Sequence, residues 1–288
     1  MPSTQQLKSR IRSVKNTKQI TKAMQMVAAS KMRRAQDATK GSAPYASAAN
    51  DLLYHLASQG ATDGHKWFEV RPVATRLLIV VASDKGLAGA YNANIFKAYL
   101  QALQADRATG IANETIAVGR KVSQFASRLK GTTIIGTYED LPDRPDGAEF
   151  RAILNTAKNM FEQGDVDAVD VLYTRFISSM TQTAHTMRLF PAGFADTPTD
   201  KRVREMRFEP SVNKVLDDVA YRLVGARLYQ ALLDARASEH SMRMLAMKNA
   251  TDNATDLTDD LTLAMNKARQ GAITQELSEI SAGVEAMK

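Results

Sequence analysis

Apolar residues recur at helical intervals over both ends of the chain and at strand intervals only in its middle. Near the N-terminus, Leu7, Ile11 and Val14, then Ile20, Met24 and Val27, repeat a 4,3 spacing with a break that shifts the stripe. This predicts a helix over 3–40 with a narrow apolar seam. Ser3 followed by Gln6 supplies a capping box for its first turn, and Gly41 and Pro44 are expected to end it. A second helical stretch, 44–56, leads to Gly60, Gly64 and Pro72, a hinge into the middle of the chain. At the other end, 211–288 contains no proline and only three glycines, Gly225, Gly271 and Gly283, and reads as one helix. Such a helix is about 115 Å long, whereas a globule of this length has a radius of gyration of about 19 Å, so most of it is expected to project. Its heptad seam runs from Val219 and Leu223 through Gln230, His240, Met247, Thr251 and Thr258 to Ala268. Few of these are large aliphatics, so close approach of a partner helix is favoured but stability per turn is low.

Between these ends the period changes. Arg76–Ala82 (RLLIVVA) is a buried-strand run, followed by the loop Ser83–Gly89 and a helix over 92–104. Further strands are expected at 115–118, 168–176 and 186–190, with helices at 122–129 and 149–163. Alternation of strand and helix predicts a mostly parallel sheet covered by helices.

Charge sharpens this picture. Residues 1–40 carry ten Lys and Arg against one acidic residue, 41–204 are nearly balanced at 18 against 17, and 205–288 hold ten against 13. Lys8, Arg10 and Arg12 even sit at the positive end of the helix dipole, a local cost that points to function. Two readings stay open: a solvated face paired with the acidic C-terminal helix, or a surface for an acidic partner. An Arg-rich, acid-poor start also suits an organellar presequence, but this capped and patterned helix runs on beyond such chemistry.

The 288 residues include no cysteine, which excludes disulfides, thiolate metal sites and thiol catalysis and fits a reducing compartment. The longest apolar run, Leu77–Ala82, has six residues against the roughly 20 that cross a bilayer, so a membrane is expected to matter only through partners. The loop SDKGLAGAYN, Ser83–Asn92, lies where α/β proteins often bind phosphate, but it is not G-x-G-x-x-G, and no P-loop occurs. Gly86 and Gly89 are expected to serve a tight turn. His55, His65, His185 and His240 lack metal-ligand spacing, and no catalytic constellation is present; neither catalysis nor a cofactor or metal is expected. A basic coiled-coil protein that binds nucleic acid is the alternative, weakened because 1–40 contain no aromatic residue to interleave with bases. A small enzyme with a dimerisation arm is a further rival.

The segments IRSVKNTKQITKAMQMVAASKMRRAQ, 11–36, and KARQGAITQELSEISAG, 267–283, resemble the N- and C-terminal signatures of the gamma subunit of F-type ATP synthases, and SDKGLAGAYN resembles its central S-D-R-G-L-C-G-G-x-N segment. Ala88, Ala90 and Val284 depart from the commoner Cys, Gly and Ala. The resemblance implies an α/β fold: a long antiparallel coiled coil of N- and C-terminal helices plus a central Rossmann-like α/β domain, divided near 1–60, 61–208 and 209–288. It implies a non-catalytic central rotor stalk that transmits torque between a membrane ring of c subunits and three alpha and three beta subunits. Further implications are contact with epsilon, a peripheral place at the cytoplasmic face of the cell inner membrane, and no nucleic-acid partner. By position, Met24 would face the acidic lever arm of beta, with Lys22, Lys31, Arg33 and Arg34 beside it. Arg269, Gln270 and Thr274, and lower down Arg243, would hydrogen-bond beta. Phe208 and Glu209 would lie near epsilon and the rotor ring, although Met206 replaces a common aromatic there.

Overall fold

The computed structural model describes residues 3–58, 65–143, 147–192 and 212–286, with side chains described to 53 and from 220 to 283 in the two long helices. The chain divides into two compact units, one of Met1–Ala28 with Arg243–Lys288, the other of Ala29–Met242. Helix α1 (Thr4–Ser58) and helix α5 (Val212–Ala286) contribute to both.

The larger unit is built on a five-stranded sheet in the order β3-β2-β1-β4-β5, from β1 (Thr75–Val81), β2 (Ala112–Val118), β3 (Thr133–Tyr138), β4 (Ala168–Phe176) and β5 (Gln182–Phe190). Four strands are parallel and β5 is antiparallel to β4. Because β1 is covered on both faces it reads as an unbroken apolar run. Leu77, Ile79 and Val81 face a core shared with α4 (Ala148–Gln163), α5 and the end of α1, where Ala49, Leu53, Ile153, Phe161 and Leu228 are buried. Leu78 and Val80 face a second core with Ile95 and Tyr99 of α2 (Tyr91–Thr109) and Val122 of α3 (Arg120–Ala126).

Helix α1 does not end at Gly41 and Pro44 but continues to Ser58, so 44–56 is no separate helix. An internal proline costs about 3 kcal/mol. Tertiary contacts offset this: exposed Pro44 faces solvent, while Ala49 and Leu53 stay on the seam and are buried in the core. Ser42 also donates to Gln230 Oε1 of α5 at 2.5 Å. Strand β3, absent from the sequence expectation, is a half-buried edge strand that contains Gly136 and whose register against β2 shifts at Ile135.

In the smaller unit, the expected capping box forms: Gln6 N–H donates to Ser3 Oγ at 3.2 Å, and Ser3 N–H to Gln6 Oε1 at 3.1 Å. The stripe on α1 does not break. Leu7, Ile11, Val14, Lys18, Thr21, Gln25 and Ala28 hold a regular 4,3 spacing and are all at least partly buried, leaving Ile20 and Val27 about three-fifths exposed. The α5 seam follows the expected heptads, with Met247, Thr251, Ala254 and Thr258 buried. Thr251 and Thr258 can occupy an interface because each hydroxyl bonds a carbonyl one turn back, of Met247 and Ala254. The Thr251 and Thr21 hydroxyls lie 2.8 Å apart across the pair.

Candidate partner-binding surfaces

At the carboxyl ends of the strands, three loops of the larger unit close on α1 and α5. The strand order reverses between β1 and β4, the place where doubly wound sheets usually bind a ligand. Here Arg236 and Glu239 of α5 occupy it, against Ala82, Tyr91 and Leu141. Asp84, in the glycine-containing loop, accepts the backbone N–H groups of Arg120 and Asp140 through Oδ1, at 3.1 and 3.0 Å, and its Oδ2 lies 3.4 Å from Arg236 Nη2. Arg236 also donates to Glu239 at 2.9 Å and to the Leu141 carbonyl at 2.7 Å. Burial opposes its charge, but Glu239 and Asp84 more than compensate and raise its pKa. A carboxylate and a filled crevice leave this loop unsuited to phosphate. Gly89 has φ 57°, as a tight turn requires, but the other left-handed residue of the loop is Leu87, not Gly86. Nearby Gly119 is obligatory: with φ 101°, an added Cβ would sit 2.3 Å from the Ala82 carbonyl oxygen.

The second loop carries Asp143, 3.3 Å from Lys31 Nζ on α1 and 3.2 Å from His240 Nε2 on α5. Partial burial would raise this carboxyl's pKa, but Lys31 and His240 outweigh it and lower it. The third is the β4–β5 hairpin: the Ser179 carbonyl accepts from Ser241 Oγ of α5 at 2.6 Å, and its hydroxyl accepts from Gln36 Nε2 of α1 at 3.4 Å. Gln182 Nε2 donates to Ser241 Oγ at 3.2 Å. Composition gave no sign of this collar. The hint in the sequence was the cluster of polar and charged residues from Asp234 to Ser241, including Arg236 and Glu239, on a helix that is apolar just before it.

The residues singled out from sequence fall into separate groups. In the smaller unit, Met24 is half-buried and Lys22 exposed, its Nζ donating to Gln25 Oε1 at 3.3 Å. Arg243 is half-buried. Arg269, Gln270 and Thr274 are exposed on α5, Thr274 Oγ1 donating to the Gln270 carbonyl at 3.0 Å. Thr251, level with Thr21, is 18 or more residues from this trio, about 27 Å of helix, so Lys22 and Met24 do not share a site with it. In the larger unit Arg33 and Arg34 are exposed, while Lys31 is engaged by Asp143. Phe208, Glu209 and Met206 lie outside the described residues. Among the described residues, no three His, Asp or Glu are gathered as metal ligands, and no helix is long and apolar enough to cross a membrane.

A family model described as ATP synthase matches residues 3–287. The ATP synthase gamma chain of Stenotrophomonas maltophilia is 39% identical over 288 residues, covering all of both chains. The chain belongs to the ATP synthase gamma-chain family. The gamma chain of Cupriavidus pinatubonensis is likewise 39% identical over 292 residues, with both chains fully covered. In fold, the chain is similar to one in the mitochondrial ATP synthase of Euglena gracilis (OSCP/F1/c-ring), with TM-score 0.67, 18% identity and coverage of 99% of this chain and 94% of that one. A chain of the Tetrahymena thermophila central stalk and c-ring matches with TM-score 0.57 at 23% identity, covering 80% and 99%. As a gamma chain it is a non-catalytic subunit of the central stalk. The antiparallel pair of terminal helices and the Rossmann-like sheet are those of this family, and the nucleic-acid alternative gains no support.

Proposed function

We propose that this gamma chain is a rotor: it turns within a ring of three alpha and three beta subunits and passes torque between that ring and a membrane ring of c subunits. The observation that carries this reading is the full-length family match, joined to a paired-helix unit whose surface is both apolar and basic. Ile20, Met26 and Val27 are exposed on α1 alongside Lys15 and Lys22, and Leu263, Ile273, Leu277 and Ile280 are exposed on α5. Such side chains fit a sleeve that is greasy in part and acidic in part. A shaft biases three identical sites in turn only if it presents a different face to each, because an equal contact with all shifts none of them.

Lys22, Met24, Lys31, Arg33 and Arg34 are proposed to meet the acidic lever of beta, Arg243, Arg269, Gln270 and Thr274 other beta positions, and Phe208 and Glu209 the epsilon subunit and rotor ring. Hydrogen bonds to charged groups contribute about 1.5–3 kcal/mol each, enough to register an angle and weak enough to break in a turn. In this reading 1–60 and 209–288 supply the shaft and 61–208 the body, held at the cytoplasmic face of the inner membrane through partners. Affinity capture from native membranes tests it. The chain is expected to bring down alpha and beta subunits and a small ring-forming membrane protein; recovery of nucleic acid without ATPase overturns it.

A further inference from the structure

We propose that the polar collar around α1 and α5 is a torsional clamp, in which Asp143 and Ser179 are the residues that fix the sheet's angular position on the helix pair. The inference rests on the rotor reading above. Two residues of the sheet's loops each hold both helices at once: Asp143 grips Lys31 and His240, and Ser179 grips Gln36 and Ser241. These contacts come from different strands, so turning the helix pair against the sheet stretches both together. Apolar burial between the layers is non-directional, and although the packed side chains resist large displacements they carry no bond that singles out one angle. Hydrogen bonds lose their energy within a few tenths of an ångström and a few tens of degrees, so they oppose rotation directly. Arg236 adds a third hold, and Asp84 ties it to the backbone of the two neighbouring loops at Arg120 and Asp140. Met32, Ala35 and Ala237, buried on the two helices near the collar, are side chains too small or too flexible to lock an angle on their own.

The test uses the chain assembled with its alpha and beta subunits, those fixed to a surface, and a bead attached through a cysteine introduced on the outer face of α3. The bead's angular variance is recorded during pauses in ATP-driven turning. Asp143→Ala with Ser241→Ala is expected to widen that variance at least twofold while ATP turnover of the unloaded complex stays within twofold. Asp143→Glu with Ser241→Thr is expected to return the variance toward the native value, which a general packing defect would not allow. Bridging Gln36→Cys to Ser179→Cys with a short bismaleimide in the alanine background is expected to do the same. If the double alanine variant fails to assemble, Asp143→Asn with Gln36→Ala, which weakens the hold of Asp143 on Lys31 and removes that of Ser179 on Gln36, carries the same expectation. Native variance in the assembled variants overturns the clamp; a native complex that hydrolyses ATP with a stationary bead overturns the rotor reading instead.

Discussion

Asp234 shows how a buried group sets a pH dependence. Its carboxyl sits on α5, accepting from Gln230 Nε2 at 3.0 Å, and burial, only partly offset by Gln230 and Arg175, pushes its pKa up from 3.8 to about 6. An acid with a raised folded pKa binds more protons folded than unfolded between those values. Its ionisation therefore destabilises the fold progressively as pH rises from about 4 to 6, and fully above that. Asp234→Asn, which keeps an oxygen for Gln230, is expected to raise stability at pH 8 by about 2–3 kcal/mol and by nearly nothing at pH 4, measured by denaturant unfolding. Gly119→Ala should act oppositely, lowering the melting temperature at every pH, because the clash with Ala82 is independent of charge. Neither effect is visible in the sequence, where Asp234 is one acid among many and Gly119 one glycine of 15. The Ser3–Gln6 cap, by contrast, was readable because its geometry is local. The seam through Lys18, Thr21 and Gln25 was not, because polar side chains that satisfy themselves within one helix still read as surface.

The long helices were readable as elements from proline and glycine spacing and from heptads, and the buried strands from continuous apolar runs. What failed were decisions that non-local contacts make. Helix α1 passes Pro44 because Ala49 and Leu53 pack in the core beyond it, and β3 forms against β2 despite Gly136. Along α5, burial falls from nearly continuous at 231–241 to none at 269–283. Amide exchange of the isolated chain should therefore be slow at 231–241 and fast at 269–283; equal protection would contradict the role assigned to the seam. The same exposure leaves Arg269 and Gln270 available to partners. Replacing both with Ala is expected to reduce turnover of the assembled complex about tenfold while leaving the helicity of the isolated chain unchanged, and full turnover would mark them as solvated surface.

For the molecule as a whole, the crevice that similar sheets use for ligands is filled by the chain's own Arg236 and Glu239. Met24→Lys adds a charge to the helix proposed to meet the beta lever, so it is expected to lower ATP made per proton more than it lowers assembly. The most direct test joins the chain to its alpha and beta subunits, fixes the ring, and follows a bead on the sheet-bearing unit while ATP is hydrolysed. Sustained turning in one direction, in three equal steps per revolution, is the predicted result. Continuous hydrolysis with the bead at one angle would contradict it.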